Sequence, residues 1–100
     1  MYDVAALGEL LIDFTCLTTD ADGYPTMAAH PGGAPANYLA ALTKFGAKTA
    51  MIGKVGNDAF GRLLIKTLKG AGIGTRGMLV SDDVFTTLAF VTLDDSGDRE

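Results

Sequence analysis

Residues 32–46 read GGAPANYLAALTKFG, and this stretch decides the fold class. Pro35 suits the first turn of a helix, where its missing N–H would have had no partner, so the sequence predicts a helix starting near Ala34. Tyr38, Ala41, Leu42 and Phe45 recur at i, i+3, i+4 and i+7, the stripe a helix needs to lie on a sheet. Gly46 supplies the stop, and Lys44 suits the negative end of the helix dipole.

On the N-terminal side, residues 4–14 (VAALGELLIDF) are almost continuously apolar, which reads as a strand buried on both faces with Asp13 at its C-terminal end. Residues 15–31 are polar and turn-rich, an excursion with a turn signal at Asp22-Gly23 and a short strand expected at 26–29. On the C-terminal side, residues 48–55 (KTAMIGKV) read as a second strand. Asn57 or Asp58 then caps a helix carrying Phe60, Leu64, Thr67, Leu68 and Ala71 on one face, ended by Gly70 and Gly72. Further strands are expected at 77–80 and 87–94. Strands alternating with helices imply right-handed crossovers and a mainly parallel sheet, so the class is α/β. Residues 94–98 (DDSGD) have hairpin-turn chemistry with only Arg99 and Glu100 after them, which suggests the N-terminal part of a longer protein.

Composition narrows the function. One hundred residues make one domain at most, and Leu, Ile, Val and Phe supply 26 of them, enough to bury a core. A net charge of -4 leaves no basic patch, which argues against nucleic acid and against anionic membranes as partners. Asp3, Glu9 and Asp13 interrupt the N-terminal apolar residues, so no secretory or membrane-spanning segment is seen, and a cytoplasmic location is expected. The single Cys16 has no Cys or His at metal-ligand spacing, and no metal site is expected.

Ligands of open α/β sheets bind beyond the C-terminal strand ends, near helix N-termini. Asp13 and the run from Gly32 and Gly33 to Asn37 meet that description. Two glycines let a ligand approach the backbone, while a carboxylate and an amide supply directional acceptors and donors, a chemistry suited to a polyhydroxylated ligand. Each has a plainer reading: a tight helix entry for the glycines, a cap for Asp13, backbone bonding for Asn37. The glycine-rich residues 53–61 (GKVGNDAFG) lack the spacing of a dinucleotide site and the ending of a P-loop, and read as a loop with a helix cap. His30 reads as a lid or loop residue, Cys16 as a small half-buried one, and Phe90 as sheet packing.

The order of these features resembles the ribokinase-like, or PfkB-type, carbohydrate kinases. Gly32, Gly33, Pro35, Asn37, Gly46 and Gly56 fall at the spacings of that family's first signature, supported by GELLIDF, GKVGNDAFG and TTLAFVTLDDSGDRE, with Leu39 in place of the expected small residue. The fructokinase branch is the most similar. The resemblance implies a ribokinase-like three-layer α/β/α sandwich with a small β lid, of which residues 1–100 form the N-terminal part. The lid would draw on residues of about 15–31 and 86–100. It implies phosphoryl transfer from ATP, with Mg2+, to a sugar hydroxyl, fructose before ribose or a keto-deoxy sugar acid. Asp13, Gly32, Gly33, Asn37 and Arg99 would bind the sugar. The family's catalytic base lies in a Gly-Ala-Gly-Asp run, and Gly70-Ala71-Gly72 here is followed by Ile73. The base and the nucleotide site are therefore expected outside this chain, and the hundred residues alone are expected to be inactive. A homodimer through the lid is a further implication. A non-catalytic sugar-binding or interaction module of the same fold is the competing reading.

Overall fold

The apolar run at residues 4–14 is divided between two sheets. The structure, a computed structural model, describes residues 1–91. In it β1 is Val4–Leu7 and β2 is Leu11–Thr19, with Gly8, Glu9 and Leu10 carrying the chain across. A single strand was expected here because an apolar run reports burial without reporting which sheet provides it. Leu10 and Ile12 are both in the core, the first from the link and the second from β2. Asp13 consequently sits inside β2 rather than at a strand end.

The first sheet is parallel, in the order β1-β4-β5, with β4 at Thr49–Gly56 and β5 at Gly74–Ser81. The crossovers are α1, Ala34–Lys44, and α2, Ala59–Gly70. Both steps move the same way across the sheet, so right-handed connections put both helices on one face. There Leu39, Leu64 and Leu68 close over Met51, Val55 and Met78. Among the described residues nothing covers the other face, and Leu7 and Leu79 stand 79% and 65% exposed on it. The described residues therefore build a parallel sheet and one helical layer.

Helix α1 lies where expected but is rotated about its axis. Tyr38 and Phe45 are 60% and 90% exposed, whereas Leu39 is fully buried and Ala36 and Ala40 pack beside it. The inward stripe is Ala36, Leu39, Ala40 and Thr43, the same i, i+3, i+4, i+7 template two residues out of phase with Tyr38, Ala41, Leu42 and Phe45. Alanines bring the helix axis close to the sheet, and the Thr43 hydroxyl is satisfied by the Leu39 carbonyl at 2.8 Å and by the buried Thr49 hydroxyl. Helix α2 matches its expected face through Leu64, Leu68 and the partly buried Phe60 and Ala71, but Thr67 is exposed.

The excursion forms a second sheet, in the order β3-β2-β6, with β3 at Pro25–Gly32 and β6 at Leu88–Val91. It starts at Leu11 rather than near residue 15. β3 is antiparallel to β2 and β6 is parallel to it. Phe14 ties this sheet to the body, meeting Phe60 edge-on at 5.4 Å and stacking on Phe90 at 5.2 Å.

Residues 53–61 make the second tie: 53–56 end β4 rather than forming a loop, and Asp58 provides the helix cap that the sequence predicts at Asn57 or Asp58. Asp58 caps α2 by accepting the Gly61 N–H at 2.7 Å, and it also accepts the Thr86 N–H at 2.9 Å and the Thr86 hydroxyl at 2.7 Å. Thr86 in turn accepts the Gly56 N–H at 3.1 Å. A Cβ on Gly56 would lie 2.6 Å from the Thr86 nitrogen and 2.7 Å from the Val84 carbonyl oxygen, so only glycine lets residues 84–86 lie this close. The bonds from the Thr86 N–H, the Gly61 N–H and the Thr86 hydroxyl hold the Asp58 carboxyl below the usual carboxylate range.

Two outcomes follow from this packing. Leu39→Ala is expected to cost about 2–5 kcal/mol, whereas Tyr38→Ala stays within about 0.5 kcal/mol, and urea denaturation of both variants beside the parent checks the rotation of α1. Because the folded Asp58 value lies below the unfolded one of about 3.9, its stabilisation is complete above about pH 4 and is lost as the pH falls through the folded value. Thermal unfolding from pH 6 downward should show a shallower acid decline in Asp58→Asn than in the parent; parallel curves would show that Asp58 contributes nothing to the acid branch.

Candidate functional site

The β2–β3 hairpin turns at Asp20, whose carboxylate accepts the Asp22 and Tyr24 N–H groups at 2.9 Å each. Thr19 pairs with Pro25 and Thr18 with Thr26, but beyond Leu17 the register slips, so that Cys16 pairs with Met27 and Asp13 with His30. A one-residue slip reverses which side chains of one strand share a face with the other. Without it Asp13 would oppose Pro31. With it Leu11, Asp13 and Thr15 share a face with Gly32, His30 and Ala28 of β3 and with Ala89 of β6. The opposite face carries Ile12 and Phe14 and packs into the body.

On the open face Asp13 is half-buried, and among the described residues its carboxylate accepts no hydrogen bond. The cap reading is thus not what the structure shows. The carboxylate lies against the Cα of Gly32, whose place could not hold a Cβ without displacing Asp13 Oδ2. Gly33 follows at φ 120° and ψ 122° as the N-cap of α1, in backbone space that L side chains rarely adopt. A Cβ there would lie 2.5 Å from the Glu9 carbonyl oxygen of the link between β1 and β2. The glycine pair is a tight helix entry, and it is also where Asp13, the β1–β2 link and the first turn of α1 converge.

Asn37 is exposed, and its side-chain amide has no partner among the described residues. It shares with Pro31 and Gly32 the rim of a cleft of about 90 Å³ between α1 and α2, walled by Leu10, Ala40, Leu64 and Leu68. Gly32 is the residue common to the Asp13 contact and to this cleft, and Asp13 does not line the cleft. Arg99, with the expected turn at 94–98, lies outside the described residues. Cys16 is half-buried. The position of His30 across from Asp13 had no signal in the sequence, because it depends on the slip at Leu17.

Among the described residues no group of His, Cys, Asp and Glu could hold a metal ion, and no helix is long and apolar enough to cross a membrane. The glycine-rich residues 53–61 cannot cradle phosphates, because the Gly56 N–H and the Asp58 carboxylate are already spent on Thr86. Residues 53–61 therefore do not fit the phosphates of a nucleoside triphosphate.

A family model described as pfkB family carbohydrate kinase matches residues 1–100. The chain is 44% identical to Probable fructokinase-5 of Arabidopsis thaliana over 100 residues, covering 97% of this chain and 31% of that protein. Among solved structures it is similar to fructokinase from Xylella fastidiosa, with a TM-score of 0.87 and 34% identity over 97% of this chain and 30% of that one. A putative Ribokinase II from E. coli in complex with ATP and Mg2+ superposes with a TM-score of 0.86 and 32% identity, over 100% of this chain and 32% of that one. The chain thus spans about a third of the length of these relatives, and its sheets and helices are part of a ribokinase-like fold.

The two glycines should respond differently to a Cβ. Gly33→Ala meets fixed backbone in a disfavoured conformation and is expected to lose about 1–3 kcal/mol of stability. Gly32→Ala meets side chains only, the Asp13 carboxylate most closely and then Leu11 Cδ1 at 3.2 Å, so it should disturb the Asp13 carboxylate more than the fold. Thermal melts of both variants, with NMR of the Asp13 carboxylate in Gly32→Ala, distinguish the two effects.

Proposed function

The chain belongs to the pfkB family of carbohydrate kinases, and from that premise we propose that it is the sugar-binding N-terminal part of an ATP-dependent kinase acting on a sugar hydroxyl, most closely a fructokinase. The observation that carries this reading is the Asp13 carboxylate, half-buried on the open face of the β3-β2-β6 sheet with no donor from the described residues. A carboxylate there accepts from hydroxyl donors, and neighbouring sugar hydroxyls supply two at once. The backbone at Gly32 and Gly33 and the Asn37 amide would add contacts along the entry to α1, and Arg99 would close over the sugar from the C-terminal end of the chain.

In this reading the residues of the chain hold and orient the sugar, and the β3-β2-β6 sheet is the lid that screens the reacting hydroxyl from water. ATP with Mg2+ supplies the phosphoryl group. Its site and the catalytic base belong to the part of the relatives that this chain does not span, so residues 1–100 alone would transfer no phosphate. Pairing of two lids into a homodimer and a cytoplasmic location complete the proposal. The similarity to a Ribokinase II keeps ribose as the second substrate to test.

A coupled assay of the whole protein with fructose, ribose, a keto-deoxy sugar acid and a nucleoside should show turnover with fructose and ATP. Turnover on the nucleoside alone would overturn the substrate assignment, and a whole protein lacking Gly-Ala-Gly-Asp would favour the non-catalytic module. Asp13→Ala should weaken sugar binding about 10- to 150-fold, the range for hydrogen bonds to a charged group, with little change in melting temperature. Unchanged affinity with a large fall in melting temperature would mean that Asp13 is structural.

A further inference from the structure

We propose that Asp58 is a positioning residue for sugar binding: through Thr86 it seats strand β6 against the strand that carries Asp13, so that sugar affinity depends on a carboxylate that does not touch the sugar. The inference rests on the sugar-binding reading of Asp13.

A helix cap needs one carboxylate oxygen. Oδ1 of Asp58 serves that purpose by accepting the Gly61 N–H, and it takes the Thr86 hydroxyl as well. Oδ2 goes to the Thr86 N–H, a residue 28 positions away that contributes nothing to α2. Thr86 is 4% exposed, and it lies two residues before β6. The next residue already belongs to the lid ladder, since the Thr87 carbonyl accepts the Ile12 N–H at 3.0 Å. The rungs then run Ile12 with Leu88, Asp13 with Ala89 and Phe14 with Phe90. One residue, Thr87, therefore separates the Asp58 contact from the strand that flanks Asp13.

Burial alone does not place β6. It is four residues long, and Leu88 and Phe90 are both exposed on it. The connection from β5 is held at its other end by the neighbouring residue, with Asn57 Nδ2 donating to Asp82 Oδ1 at 2.7 Å and the Asn57 N–H to the Ser81 carbonyl at 2.8 Å. Asn57 and Asp58 together clamp both ends of residues 81–86. β6 is thus seated from α2 of the body, while β3, on the other side of Asp13, is joined to β2 through its own hairpin.

Substitution separates this role from capping. In Asp58→Asn the remaining carbonyl oxygen keeps the cap, since Asn is as good an N-cap as Asp, but an amide NH2 now faces the Thr86 N–H, donor against donor. Thr86→Val keeps the volume and removes the hydroxyl, and Thr86→Ser restores it. In the whole protein, Asp58→Asn and Thr86→Val are expected to raise the sugar KM about 3- to 10-fold with the KM for ATP unchanged, and Thr86→Ser to return it to the parent value. Hydrogen exchange should quicken at residues 86–91 and not in α2. An unchanged sugar KM, or exchange that quickens equally in α2, would overturn the proposal and leave Asp58 as a cap alone. If the parent binds and turns over no sugar, the functional reading fails instead, and the exchange comparison still decides whether Asp58 seats β6.

Discussion

Thr86 is a buried polar residue, and a buried donor left unpaired costs about 1–3 kcal/mol. Asp58 accepts both, and Gly56 donates back to the hydroxyl. The architecture depends on this exchange, because the chain leaves the parallel sheet twice, at residues 8–10 and after β5, and each departure threatens to strand backbone groups between two sheets. At the first departure the glycine at position 33 lets α1 begin against the Glu9 carbonyl. At the second, Asp58 turns one helix N-terminus into an anchor for the returning strand. The motif GKVGNDAFG is glycine-rich for that reason: its glycines make room for a neighbouring chain segment rather than for phosphates.

Apolar surface is distributed unevenly around this frame. The helical side of the parallel sheet is closed by Leu39, Leu64 and Leu68, and Phe14 carries the same core into the second sheet by stacking on Phe90 and meeting Phe60 edge-on. The opposite side presents Leu7, Ile52 and Leu79 beside Lys54 and Glu9. Burying a large aliphatic side chain is worth roughly 1.5–3 kcal/mol, comparable with a sizeable fraction of a domain's total stability of about 5–15 kcal/mol. A sandwich with a second helical layer, as in a ribokinase-like fold, uses such a face.

The candidate site inherits its geometry from the same frame. Ile12 and Phe14 are held in the body, which forces Asp13 between them onto the open face, and Gly32 leaves the space its carboxylate occupies. Asn37 reaches the same neighbourhood from α1, around a cleft whose walls are almost entirely apolar. The polar groups are few and lie along the line where a helix start meets a strand.

Local chemistry in the sequence determined a good deal: the alternation of strands and helices, the start of α1 near Ala34 after two glycines, a cap at Asn57 or Asp58, and the coincidence of Asp13 with the glycine pair. These are written in capping residues, proline and apolar periodicity, which act over a few residues. Tertiary structure decided the rest. The run at 4–14 is apolar throughout, so nothing local marks where one sheet hands it to another. The i, i+3, i+4 template fits α1 in two phases, and the sheet's need for close approach selects the alanine phase over the one with Tyr38 and Phe45. The slip at Leu17 has no signature of its own, yet it turns His30 rather than Pro31 toward Asp13. Register is a property of two strands meeting under the constraint that Ile12 and Phe14 stay buried, and no single strand encodes it.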